Sequence, residues 1–238
     1  PDSVESIMHY AFTEVLNNAI DHSMSERCTF EIRLDATRIT FAVRDAGIGV
    51  FNSIAEKFSL QNEHDAMIEL IKGKTTTQPH AHSGEGIFFV SRVADRFSLR
   101  SHRLQIEWDN KRADVFVSET RYLKGTLASF EIDRNSRTRL EQVFAEFAPE
   151  AYDFQFRKTR VLVKLLRQDY VSRSEAKRLL HNLDKFSEIE LDMRDVQNVG
   201  QGFADEVFRV FATAHPDIVI RFVNASDAVT AMIKHVSV

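Results

Sequence analysis

Apolar residues in the first 22 positions recur at helical spacing. Ile7, Phe12, Val15, Leu16, Ala19 and Ile20 supply much of one face, which predicts a helix over 4–22. Two following stretches, CTFEIRLDA and RITFAVRDA, alternate apolar and polar residues. A period of two predicts strands, reversing near Ala36–Thr37. The second strand runs into DAGIGV, a glycine-punctuated turn. Residues 51–72 return to a helical pattern, and GKTTTQPHAHSGEG is polar and rich in turn formers. A loop of that length is functional or mobile rather than a simple connection. GIFFVSRVADRF predicts a helix from near Gly86; FSLRS, LQIEW, ADVFVS and TLASFEI predict strands; 136–148 predicts a closing helix. The fold class expected for this half is α/β: a sandwich with helices on one face of a mixed sheet.

The pattern changes near Ala151. Strands are expected at YDFQF and RVLVKLL, then a helix over SRSEAKRLLHNLDKF with Ser172 as its N-cap. EIELDM (strand), GFADEVFRVFATAH (helix), DIVIRFV (strand) and ASDAVTAMIKHV (helix) follow. Strand–helix alternation predicts a smaller α/β domain. The expected division is 1–150 and 151–238.

Composition narrows the function classes. Hydrophobic residues at 43% and charged residues at 28% of 238 support packed cores rather than a disordered chain. A net charge of −4 gives no basic excess for nucleic acid, so none is expected to bind this fragment. One cysteine, Cys28, excludes an intrachain disulfide and suits the cytoplasm. No apolar run reaches the roughly 18–20 residues of a membrane span, and no signal peptide is evident. The chain starts at Pro1 rather than Met, so a fragment of a longer protein is expected.

The candidate chemistry lies in three places. In FTEVLNNAIDHS, Glu14 and Asn18 stack four residues apart, with Asp21 and His22 one turn on. A carboxylate beside an amide oxygen suits hydrated magnesium, and Glu14 can also act as a base. The same residues also make an ordinary solvated face. In DAGIGV, Asp45 ends a strand beside Gly47 and Gly49, where it can accept from an exocyclic amine; a plain turn reads the same. In HSGEGIFFV, Gly84, Glu85, Gly86 and Ile87 open a helix whose free N–H groups suit a polyphosphate. Upstream, Lys74, Thr75 and Thr76 offer a cation and hydroxyls, or simply an exposed loop.

Taken in order, Glu-x-x-x-Asn on a helix, Asp-x-Gly-x-Gly after a strand and Gly-x-Gly before a helix resemble the Bergerat ATP-binding fold. That is the superfamily of gyrases, heat-shock chaperones, histidine kinases and mismatch-repair ATPases. The resemblance covers about residues 4–134. It implies ATP and magnesium as ligands, Asn18 on the metal, Glu14 as general base and Asp45 on the adenine amine. It implies Gly47 and Gly49 in the adenine pocket, Gly84 and Gly86 at the phosphates within a lid over about 73–86, and Thr126 of GTLASF at the pocket base.

Only 13 residues precede Glu14, too few for the phosphoacceptor hairpin of histidine kinases. The motif continues Asn-Ala-x-x-His over Asn18–His22, which is similar to the anti-sigma-factor serine kinases. His9 is expected to be a packing or surface histidine. The second domain resembles the STAS-like modules (DUF4325), on SRSEAKRLL and NVGQGFADEVF. Val199–Gly202 carries no phosphorylatable serine where STAS domains present one. Gly200 and Gly202 either open a helix N-terminus to a partner or anion or make a tight connection, and Ser172–Ser174 are either a binding or modification site or a cap and first turn. The expected function is an Mg-ATP-binding regulator with slow ATPase or serine/threonine kinase activity, or alternatively a non-catalytic ATP-dependent switch. Its expected partners are ATP and a protein regulator or phosphoacceptor, with a homodimer compatible.

Overall fold

The computed structural model describes residues 1–75, 84–166 and 170–236. They divide into two compact units, Pro1–Ala145 and Glu146–Val238.

In the first unit, α1 (Asp2–His22) buries Val4, Ile7, Ala11, Val15 and Ala19, spaced by three and four residues. His9 is exposed. β1 (Cys28–Leu34) and β2 (Arg38–Asp45) pair antiparallel from Cys28↔Asp45 to Leu34↔Ile39. The Asp35 carboxylate holds the reversal, accepting from the Thr37 and Arg38 N–H groups at 2.7 Å each.

The helix expected over 51–72 is two helices, α2 (Val50–Lys57) and α3 (Glu63–Lys72). Ser59 turns the chain at φ 51°, and Asn62 restarts it by accepting from the Asp65 N–H at 3.0 Å. Phe58 and Leu60 carry the apolar pattern through the break and hide it in the sequence. α4 (Gly86–Val93) follows.

The four expected strands after it are two long ones, β3 (Arg96–Asp109) and β4 (Asp114–Asp133). What reads as a gap between FSLRS and LQIEW is a pair of register shifts around His102, whose φ is 50°. The strand order is β1-β2-β4-β3, and all three pairings are antiparallel. Because β4 inserts between β2 and β3, the end of β2 at Asp45 comes beside Thr126. Helices α1 and α4 pack together on β2 and β3. Beneath them Phe41 stacks on Phe130 at 4.9 Å, and Phe12 meets Phe41 edge-on at 5.4 Å. Each fully buried Phe contributes about 1.5–3 kcal/mol through transfer from water. α5 (Leu140–Phe147) brings Phe144 onto Tyr10 and Phe89.

In the second unit, β5 (Lys158–Leu162), β6 (Glu188–Asp192) and β7 (Val219–Val223) form a parallel sheet in that order. YDFQF is no strand: a 3₁₀ turn over Glu150–Tyr152 leads to Asp153 and Phe154 at φ 53° and 57°, outside the extended region. α6 (Arg173–Leu180) starts in a capping box: Ser172 Oγ accepts from the Glu175 N–H, and the Glu175 carboxylate accepts from the Ser172 N–H at 2.9 Å. Ser172 is thus a cap. α7 (Gln201–Asp205) continues through a π-helical stretch (Glu206–Phe211) into α8 (Ala212–Ala214), and α9 (Asp227–Val236) ends the described chain.

Gly200 is the tight connection of the two readings. Its N–H donates to the Tyr170 carbonyl at 2.6 Å, and the Phe203 N–H donates to the Val171 carbonyl at 3.2 Å. A Cβ on Gly200 would lie 2.6 Å from the Val171 oxygen, so the backbones touch. Those donors meet protein backbone rather than an open anion site.

Candidate functional site

α1 places Tyr10, Glu14 and Asn18 at four-residue spacing, so they line up along one face. From Glu14 onward α1 forms a wall of a cleft of about 270 Å³, close to the lower end of the roughly 300–1,000 Å³ usual for ligand pockets. Opposite stand Asp45 and Thr126, from the neighbouring strands β2 and β4. Val15, Ala19, Val43, Ile54, Leu70, Leu99 and Ala128 make much of the remaining lining apolar.

Asp45 is buried, and its Oδ1 accepts from the Gly47 N–H at 2.9 Å and the Thr126 N–H at 3.2 Å. Burial pushes the Asp45 carboxyl above its ordinary range, against the hydrogen bonds from Gly47 and Thr126, which pull it down. The Thr126 hydroxyl accepts from the Val50 N–H at 2.9 Å and so caps α2 from a different element. Gly125 has φ 78°, and a Cβ there would fall 2.6 Å from Asp45 Oδ1.

At the other end, the Asn18 amide donates to the Glu14 carbonyl at 2.7 Å. With Nδ2 so engaged, Oδ1 is the atom Asn18 offers a ligand. The Glu14 carboxylate reaches the first turn of α4: a Cβ on Gly86 would lie 1.9 Å from Glu14 Oε2. Burial, then the charges of Glu14 and Glu85, push the Tyr10 hydroxyl well above its usual range.

Of the residues singled out from the sequence, Glu14, Asn18, His22, Asp45, Thr75, Gly84, Gly86, Ile87 and Thr126 line this one cleft. Gly47 and Gly49 are not part of the lining; they are packed tightly elsewhere, where a Cβ on Gly47 would meet the Ser23 carbonyl at 1.8 Å and one on Gly49 would meet Ser101 Oγ at 2.4 Å. Asp21 is exposed on α1, and Asp21, Lys74 and Glu85 are not part of the lining. Thr76 lies outside the described residues. Sequence reasoning missed Ser23 and the apolar walls, and also Tyr10 near Glu14 and Gly125 against Asp45, neither of which lines the cleft. Tyr10 carries a signal, its place four residues before Glu14; the walls carry none beyond their strand and helix patterns.

Two family descriptions match. "Histidine kinase-like ATPase domain" covers residues 1–107, and "STAS-like domain of unknown function (DUF4325)" covers residues 175–230. Residues 1–107 thus match a histidine kinase-like ATPase domain. The ATPase domain is followed by a STAS-like domain. Among solved structures, the crystal structure of the 43K ATPase domain of Thermus thermophilus gyrase B in complex with an aminocoumarin matches at 17% identity and a TM-score of 0.33. The match covers 59% of this chain and 38% of that one. No curated protein matches the chain.

A domain of this kind implies nucleotide binding. The ATPase domain's cleft fits a nucleotide on its own geometry. A purine needs flat apolar walls and one buried acceptor, which Val43, Leu99, Ala128 and Asp45 supply. Phosphates need backbone N–H groups at a helix start, and Gly84 and Gly86 bring the start of α4 to the cleft. Among the described residues, no three His, Cys, Asp or Glu gather where they could hold a metal. A magnesium ion here would take Asn18 and depend on phosphate oxygens for the rest. No described helix is long and apolar enough to cross a membrane.

Proposed function

We propose that the ATPase domain (about residues 1–150) binds ATP with magnesium and hydrolyses or transfers its γ-phosphate slowly, under regulation shared with the STAS-like domain (about 151–238). The observation that carries this is the convergence of Glu14, Asn18, Asp45, Gly84, Gly86 and Thr126 on one cleft. Asp45, aligned by Gly47, Thr126 and Gly125, accepts from the adenine amine. Asn18 offers Oδ1 to the metal, whose chemistry when bound is to neutralise phosphate charge. Glu14, at the first turn of α4, accepts the proton of the attacking water or hydroxyl. Thr75, Gly84, Glu85, Gly86 and Ile87 border the phosphates, with Lys74 beside them, and Asp21 and His22 stand at the end of α1. Gly47 and Gly49 back the adenine. The protein works in the cytoplasm in signal transduction, with a protein regulator or phosphoacceptor as partner.

Calorimetric titration with ATP, ADP and GTP, with and without magnesium, tests the binding. GTP should bind more weakly by roughly 1–3 kcal/mol, since its oxygen faces the Asp45 carboxylate. ADP release by wild type and Glu14→Ala tests the chemistry; equal turnover removes Glu14 from it. The sequence Val199–Gly202, without serine or threonine, favours a second reading: a switch in which nucleotide reshapes a docking face without phosphorylating its own STAS-like domain. Tight ATP binding with no turnover, with or without partner, selects that reading.

A further inference from the structure

β1 is an edge strand, and among the described residues its sheet partner is β2 alone. Its inward-facing residues are not covered. Phe30, Ile32 and Leu34 are 59%, 46% and 67% exposed, although Phe30 touches Phe12 and belongs to the face α1 packs on. Ile20 and Met24, at and just past the end of α1, add exposures of 60% and 82%. On the opposite face of β1, Arg33 grips Glu31 at 2.7 and 3.0 Å. A free, apolar edge of this length invites another strand.

The order of these residues says which strand. Turn β1 about a two-fold axis through Ile32 and set it antiparallel to itself. Ile32 then faces Ile32, Phe30 faces Leu34, and Glu31 faces Arg33, twice. Every apolar residue meets an apolar one and every charge its opposite, and the register is isologous as two-fold symmetry requires. Shifting by one residue would oppose Phe30 to Arg33 and Glu31 to Ile32. We propose that two copies of this chain pair through β1 in this register, joining their four-stranded sheets into one of eight strands. Ile20 and Met24 widen the apolar seam beside the pair.

Sedimentation of the full chain tests this. Wild type should run as a dimer at micromolar concentration, and Ile32→Lys, which places two lysines face to face, should run as a monomer. Glu31→Arg and Arg33→Glu should each be monomeric alone, because each opposes like charges at both crossings. Mixed together, they should recover dimer, and so should the Glu31→Arg/Arg33→Glu double variant. Recovery on mixing shows that the single variants are folded. A monomeric wild type, a dimer indifferent to Ile32→Lys, or single variants that fail to recover on mixing while circular dichroism shows them folded would each overturn the proposal.

Discussion

Gly47 and Gly86 both lack room for a side chain, yet alanine at each should do opposite things. At Gly47 the obstacle is backbone: the new Cβ would sit 1.8 Å from the Ser23 carbonyl oxygen and 2.6 Å from its carbon. That oxygen accepts the Ile48 N–H at 2.9 Å, the bond tying the end of α1 to the turn after β2. Relief requires parting the two segments. Overpacking costs typically 1–3 kcal/mol and a lost hydrogen bond about 0.5–1.5 kcal/mol, so Gly47→Ala should lose about 2–4 kcal/mol. At Gly86 the obstacle is the tip of a side chain, Glu14 Oε2 at 1.9 Å, which can swing away. Alanine is also the better helix former by up to about 1 kcal/mol. Gly86→Ala should therefore fold within about 1 kcal/mol of wild type while displacing the proposed base, for a loss of about 10²–10⁴-fold in turnover. Trp108, buried in the first unit and the only tryptophan, reports urea unfolding of that unit by fluorescence. ADP release gives the second readout. Adding Glu14→Gln to Gly86→Ala should cost little more, because both changes remove one interaction. Gly47→Ala within about 0.5 kcal/mol of wild type, the range of ordinary surface changes, would refute the packing argument. Gly86→Ala at full turnover would refute the placement of Glu14.

Three further outcomes are expected. Because burial raises the Asp45 pKa in the folded state above its ordinary 3.8, the native state takes up this proton first as pH falls. This group's contribution to stability therefore grows between the folded pKa and 3.8, while adenosine affinity declines over the same window; Asp45→Asn should flatten both curves in parallel denaturation and binding titrations. Thr126→Val removes the acceptor of the Val50 N–H and should cost about 1–3 kcal/mol in the Trp108-monitored unfolding, with weaker nucleotide binding as Asp45 keeps the residue-126 N–H but loses the hydroxyl bond. Ser172→Ala should cost the STAS-like unit about 0.5–2 kcal/mol, read by hydrogen exchange on α6, and leave nucleotide binding unchanged.

The residues of the cleft were legible because each breaks its local pattern: a carboxylate ending a strand, glycines before a helix, polar side chains crowding a helix that must also bury one face. Features obeying their pattern were not. Phe58 and Leu60 mimic helix continuity across a real break that only the Asn62 cap reveals. The His102 irregularity looks like a turn, yet the strand resumes because β4 supplies partners on both sides of it. YDFQF alternates like a strand but has no sheet neighbour among the described residues, and Asp153 and Phe154 curl into left-handed backbone. The insertion of β4 between β2 and β3, which unites Asp45 with Thr126, is a long-range fact that no local window contains.

That insertion also sets a schedule for synthesis. Asp45 and Thr126 are 81 residues apart in the chain, yet the nucleotide cleft has no base until they meet. At about 5–20 residues per second on a ribosome, the first arm waits roughly 4–16 s for the second. Throughout that delay the β1–β2 hairpin can close locally while its other flank stays open, so the nascent protein has its greatest need of chaperone cover between the emergence of residue 45 and that of β4.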